Sequence, residues 1–338
     1  MDEQTRTMLE ERAAILCCPG CGGNLQVADT LCCSACDRVF SVRGAIPELF
    51  WPNEWDAERS DVTDAVKEFY EETPFPDYDE FDSAQSLITK ARTGLFAKLL
   101  DDQVPAGAVV LECGCGTGQL SNFLSIANRT VFGTDLCMNS LGLGQAFKES
   151  NDLRRVHFLQ MNLFRPCFKP RSFDLVISNG VLHHSSDPKL AFGAISKLAK
   201  PGGFVLVGLY HRYGRLVTDL RRRVFNTTGD RFTGLDPNLR EGGMDRAKRR
   251  AWFVDQYKHP HESKHTIGEV LSWFDEAGIR FVNSIPRSRP FRPFSDSDRL
   301  FAPEDPGNAV ERAMVELSMI FRGSREGGFF IMIGQKSV

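Results

Sequence analysis

The stretch that most constrains this 338-residue chain is Val109-Val110-Leu111-Glu112-Cys113-Gly114-Cys115-Gly116-Thr117-Gly118. An apolar run of β character ends on a carboxylate, glycines recur at every second position, and an amphipathic segment begins. Leu120, Phe123, Leu124 and Ala127 fall at i, i+3, i+4 and i+7, one face of a helix. The pattern reads as strand, tight turn and helix N-terminus. Glycine lets the turn take positive φ and lets a ligand approach the main chain. The helix start adds unpaired N–H groups and a positive dipole end. A dinucleotide fingerprint, G-x-G-x-x-G, would need a third glycine where Gln119 stands.

Glu112-x-Gly114-x-Gly116-x-Gly118 closely resembles the first motif of the class I S-adenosylmethionine (SAM) methyltransferases, with the acid in place before the glycines. The resemblance spans roughly residues 86–286 plus the final strand. It implies an α/β fold, a seven-stranded Rossmann-like sheet covered on both faces, and SAM as cofactor. Thr130 to Asp135 reads as a second strand ending on an acid, 17 residues past Gly118. In such a site Asp135 accepts from both ribose hydroxyls, for which a carboxylate, with lone pairs and no donor, is suited. Leu136 and Met138 lie where the family packs apolar side chains on the adenine. A third strand, Val156 to Met161, ends at Asn162-Leu163. The family usually has Asp at the Asn162 position, and Asn keeps one acceptor oxygen for the adenine amino group.

A fourth strand, Phe173 to Ser178, leads into Asn179-Gly180-Val181-Leu182-His183-His184. A helix from Pro188 to Lys200 and a fifth strand from Phe204 to Leu209 follow, with Tyr210-His211 at its end. Ligands in open α/β sheets sit beyond the carboxyl ends of the strands. Asn179 is therefore expected beside the cofactor. His183, His184, Tyr210 and His211 are candidates for a base near the acceptor. Methyl transfer from a sulfonium needs alignment first, and a base only where the acceptor must lose a proton.

Six of the ten cysteines lie in residues 13–50. Cys18-Pro-Gly-Cys21 and Cys33-Ser-Ala-Cys36 are two C-x2-C knuckles around a segment that suits a hairpin, Asn24 to Leu31. Each knuckle presents two thiolates to one point, as tetrahedral zinc requires. The segment resembles the small zinc ribbon found alone or in front of bacterial methyltransferases. That likeness implies a separate module over residues 1–50 with a structural zinc on Cys18, Cys21, Cys33 and Cys36.

Residues 51–85 form an acidic, aromatic, proline-bearing connector, with Tyr70 and Tyr78 as candidates for a lid. Residues 86–338 would form the SAM-binding domain, opening on a helix over 86–100. An insertion at about 212–265 carries a basic part, 212–250, with eleven Arg and Lys against five acids. Leu216, Leu220 and Val224 place its first run on an amphipathic helix, read as a solvated basic face paired with the acidic connector. The histidines between Asp255 and Thr266 read as pocket or lid. Thr266 and Glu269 suggest a capping box for a helix to about Ala277. A sixth strand (Arg280 to Ile285), a proline-containing excursion and a last strand (Phe329 to Ile333) complete the chain.

A net charge of -3 does not point to nucleic acid. No apolar run approaches the about 18 residues of a membrane span, and Met1 to Arg12 lacks the apolar core of a signal peptide. A cytoplasmic methyltransferase acting on a small metabolite is expected. The alternative is an RNA base methyltransferase that holds RNA through the ribbon and the basic insertion.

Overall fold

The computed structural model describes residues 3–55, 60–75, 78, 82–240, 246–322 and 328–338. Pro76 and Asp77 of the connector, residues 241–245 of the insertion, and the side chains of Ala247 and Lys248 in the basic run lie outside the described residues.

Helix α1 (Glu3–Arg12) leads into a small sheet of β1 (Leu25–Val27), β2 (Leu31–Cys33) and β3 (Val39–Phe40). β4 (Val42–Arg43) and β5 (Ile46–Leu49) follow, then α2 (Thr63–Glu72), α3 (Ala84–Thr93) and α4 (Leu95–Gln103). The α/β core runs β6 (Val109–Cys113), α5 (Gln119–Ile126), β7 (Thr130–Asp135), α6 (Met138–Ser150) and β8 (Val156–Met161). It continues with β9 (Phe173–Asn179), α7 (Pro188–Ser196) and β10 (Ala199–Tyr210). The insertion holds α8 (Leu216–Thr228), α9 (Pro237–Arg240) and α10 (Arg246–Lys258). The chain closes with α11 (Ile267–Glu276), β11 (Ile279–Ile285), α12 (Ala309–Arg322) and β12 (Phe329–Lys336).

Among the described residues the large sheet has nine strands in the order β11-β12-β10-β9-β6-β7-β8-β5-β4. The seven expected strands are all present and occupy one end, with β12 antiparallel between β10 and β11. The two extra strands come from the N-terminal module. β5 pairs in parallel with β8, Glu48 opposite Gln160 and Leu49 opposite Met161. Cys17 N–H also donates to the Cys167 carbonyl at 2.9 Å. The module is thus built into the sheet edge, and Leu16, Leu31, Phe40 and Leu49 share one apolar core with Phe132 and Phe173.

Several helix bounds differ from expectation. The helix expected over 86–100 is two helices, α3 and α4, broken at Gly94. The helix expected to reach Lys200 ends at Ser196, and β10 starts at Ala199 and shifts register before Phe204, across Pro201-Gly202-Gly203. Proline has no N–H for a ladder and so sits at such irregularities. Helix α12 was not anticipated. In α8 the apolar face predicted from Leu216 and Leu220 is exposed, while Thr218 and Phe225 are buried. Thr266 caps α11 by accepting from Glu269 N–H at 3.2 Å, but the Glu269 carboxylate turns to His265 Nδ1 at 2.8 Å, so the reciprocal half of the capping box is absent.

Candidate active site

A cavity of about 490 Å³ opens at the carboxyl ends of β6 to β10. Its floor is the turn between β6 and α5. Gly114, Gly116 and Gly118 have φ of 74°, 54° and 73°, the left-handed region that favours glycine. Space imposes the same choice at Gly114, where a Cβ would lie 2.4 Å from the Val181 methyl carbons. The turn is pinned from β7: Gly114 N–H and Cys115 N–H donate to the Thr134 carbonyl at 2.7 and 2.9 Å, and Gly116 N–H donates to Asp135 Oδ2 at 2.8 Å.

The expected cofactor residues divide. Glu112, Gly114, Gly116, Asp135, Leu136, Asn162, Leu163 and Asn179 line the cavity. Gly118 and Met138 do not. Gly118 packs against Phe158, and Met138 donates its backbone N–H to Glu71 Oε1 at 2.9 Å. Asn162 is committed to its own neighbourhood: its amide donates to the Trp51 carbonyl at 2.8 Å and Asn53 Oδ1 at 2.9 Å, and its oxygen accepts from Phe164 N–H at 3.0 Å. It joins the start of the connector, just past β5, to the site, a role the sequence reading did not assign.

Burial sets the electrostatics. Glu112 accepts from the Ser121 hydroxyl, and desolvation pushes its carboxyl up to about 8. Desolvation also raises Asp135, against the lowering effect of N–H groups from Cys137, Gly116 and Leu136. Asn179 Oδ1 is buried without a partner among the described residues.

The base candidates also divide. His184 and Tyr210 line the cavity, whereas His183 and His211 do not. His183 is wholly buried behind them, its ring 4.1 Å from that of Tyr210. His211 faces Phe330 and Glu316, and its Nδ1 accepts from Tyr213 and Gly214 N–H groups. In His184 the Nδ1 lies 2.8 Å from the His261 carbonyl, which can only accept. The proton is therefore on Nδ1, and Nε2 keeps its lone pair. Burial lowers His184 to about 4, so the ring is neutral.

The remaining wall comes from the connector and the insertion. Tyr70 of α2 and Asp255 and Gln256 of α10 line the cavity. Tyr70 donates to Asp255 Oδ1 at 3.0 Å. Gln256 Nε2 donates to Asp255 Oδ2 at 3.0 Å and to the Tyr210 hydroxyl at 2.8 Å. Gln256 Oε1 in turn accepts from Arg215 at 2.7 Å. Arg215, 0% exposed, lies 3.7 Å over the Tyr210 ring and pairs with Glu262. Burial alone would raise Glu262, but Arg215 and Arg222 outweigh it and hold it at about 2. Tyr78, the other lid candidate, stacks on Phe147 at 4.5 Å and is not a lining residue.

The two C-x2-C knuckles converge. The Sγ atoms of Cys18, Cys21, Cys33 and Cys36 all lie within 4.8 Å of one another, the closest pairs at 3.3 to 3.8 Å. A tetrahedral zinc with bonds of about 2.3 Å needs sulfurs about 3.8 Å apart, so the donor set fits.

A family model described as a methyltransferase domain matches residues 111–207. Among curated proteins, an uncharacterised protein of Synechococcus sp. is 27% identical over 220 residues, covering 56% of this chain and 52% of that one. A ubiquinone biosynthesis O-methyltransferase of Azoarcus sp. is 31% identical over 107 residues, covering 32% and 46%. The chain thus spans about half the length of the curated relatives it matches. Among solved structures, an S-adenosylmethionine-dependent methyltransferase from Mesorhizobium loti aligns over 73% of this chain and 100% of that one, with 16% identity and a TM-score of 0.46. No helix among the described residues is long and apolar enough to cross a membrane. The matched segment spans the acid–glycine turn and the strands beside it, so the chain carries a methyltransferase domain over residues 111–207.

Proposed function

We propose that the chain transfers the methyl group of SAM to a small-molecule acceptor. The observation that carries this reading is the single cavity shared by the glycine turn, Asp135 and the insertion wall. The turn separates two halves. Leu136, Leu163 and the Asp135 carboxylate, from the β7 and β8 side, offer apolar surface and a ribose acceptor to the nucleoside. Asn179, at the end of β9, stays beside the cofactor, and His184 and Tyr210, from the β9 and β10 side, remain for the methyl acceptor. SAM supplies an activated methyl; these residues orient the acceptor and keep water out.

Two observations favour a small acceptor over RNA. α2 and α10 both contribute to the cavity wall, where Tyr70 donates to Asp255. The insertion also uses several of its cations internally: Arg215 and Arg222 on Glu262, Lys258 on Asp230, and Lys264 on Asp219. These pairs lie within the insertion rather than with the acidic connector. The name of the O-methyltransferase relatives agrees with a small acceptor. We infer in addition that Cys18, Cys21, Cys33 and Cys36 hold one structural zinc, whose four thiolates leave no open position for chemistry.

Calorimetry with SAM tests the core of this. Wild-type protein should bind, and Asp135→Ala should weaken binding roughly tenfold or more through lost charged hydrogen bonds. An unchanged affinity in the variant would remove the ribose assignment, and absence of binding to wild type would remove the function.

A further inference from the structure

The polar wall contributed by α2, β10 and α10 is more specific than shielding from water requires. Asp255, 5% exposed, receives Tyr70 on one oxygen and Gln256 on the other, and each oxygen keeps a second lone pair. Gln256 cannot turn round, because Arg215 holds its oxygen. Its amide therefore occupies a lone pair of the Tyr210 hydroxyl, which leaves the Tyr210 proton free for a further acceptor. The wall thus offers the cavity a fixed carboxylate acceptor and a fixed hydroxyl donor, joined by one glutamine.

We propose that Asp255 is the proton acceptor for methylation of a phenolic hydroxyl, with Tyr210 donating to an oxygen on the neighbouring ring carbon. The proposal rests on the methyltransferase reading above. The acceptor's O–H bond breaks and its proton passes to Asp255, its oxygen bonds to the methyl carbon, and the sulfur–methyl bond breaks with its electron pair going to sulfur, leaving a neutral thioether. A phenol, with a pKa of about 10, is within reach of a carboxylate base in a concerted step. The rings of Tyr70, Phe75 and Tyr210 around the same space suit a flat aromatic acceptor.

Burial raises Asp255 to about 6, the largest influence on it, while Tyr70, Gln256 and Arg215 lower it and Glu262 raises it. The charged and titratable groups facing it are thus Tyr70 from α2, Tyr210 from β10, Arg215 from the start of the insertion and Glu262 after α10.

The test uses the full chain saturated with S-adenosylhomocysteine, whose binding is first measured alone by calorimetry, and catechol as the probe. Catechol should bind the complex best above pH 6 and weaken as pH falls through about 6, where Asp255 takes up a proton. Asp255→Asn should weaken catechol roughly tenfold or more and abolish that pH dependence, with S-adenosylhomocysteine affinity kept within about twofold. Tyr70→Phe removes a donor to the carboxylate and should move the midpoint upward. If catechol fails to bind the complex, or binds Asp255→Asn equally well at all pH values, the proposal falls and the methyltransferase reading stands. If S-adenosylhomocysteine itself fails to bind, both fall.

Discussion

Glu112, next to the end of β6, is a carboxyl that is 5% exposed, and burial pushes it from the ordinary 4.5 up to about 8. Between those values the unfolded chain is ionised and the folded one is not. The folded state binds the extra proton, so stability falls as pH rises through this window and levels off above it. Asp255 acts in the same direction, but its window closes at about 6. The buried His184 and His259, lowered by burial to about 4 and about 2, act oppositely and only below the ordinary imidazole value of 6.5. With the knuckle thiolates held on zinc and so outside this titration, the decline from pH 6.5 to 8 is assigned chiefly to Glu112. The ligand-free protein should lose melting temperature over that interval, and Glu112→Gln should flatten the curve, as followed by calorimetry. A slope unchanged by the substitution would mean that Glu112 is ionised in the fold. The acid was legible from its place before the glycines. Its protonation was not, because that depends on what packs above it from α5.

At the scale of elements, α6 begins on Cys137, a weak cap whose Sγ takes only Ser140 N–H at 3.4 Å. The missing acceptor comes from another helix. Glu71, at the end of α2, accepts from Met138 N–H at 2.9 Å and Asn139 N–H at 3.1 Å, a carboxylate on the positive end of α6. Glu71→Ala should cost about 1 kcal/mol, the usual worth of a cap, measured by denaturant unfolding. It should also weaken SAM binding, because Tyr70, the adjacent residue, lines the cavity. A full loss of stability with unchanged SAM affinity would show that α2 does not act as a lid. This pairing explains why some elements were legible and others not. Strand ends and glycine turns follow from local pattern and chain order. The insertion does not: Arg215 is buried because Glu262, distant in sequence, neutralises it, while Leu216 and Leu220 beside it are exposed. Helix α12 escaped for a related reason. Val310, Met314, Leu317 and Phe321 form an exposed apolar stripe while Val315 and Met319 face the core, so no single polar face marks it.

At the scale of the molecule, the N-terminal module and the catalytic sheet are one packed body. The knuckles were legible from cysteine spacing alone, but the pairing of β5 with β8 had no local signal. It depends on Ile46 and Leu49 burying themselves at an edge that β8 leaves open. Asn162, at the end of that same edge, donates to the Trp51 carbonyl and Asn53 Oδ1, and its neighbour Leu163 lines the cavity. A zinc that fixes the knuckles would thereby help hold the nucleoside side of the site. Its binding energy would count as folding energy for the module. The protein should contain about one zinc per chain, retained in Cys113→Ser and Cys115→Ser and lost in Cys21→Ser and Cys36→Ser. In the zinc-free variants unfolding should remain one transition at a lower temperature, and S-adenosylhomocysteine affinity should drop roughly fivefold or more, the scale of an ordinary coupling between sites. Independent modules would behave differently, with an early transition of the first fifty residues and a catalytic domain whose melting and ligand affinity stay at their wild-type values. Calorimetric scans with and without S-adenosylhomocysteine distinguish the two, because only a continuous sheet carries the loss at Cys21 across β5 and β8 to the ligand.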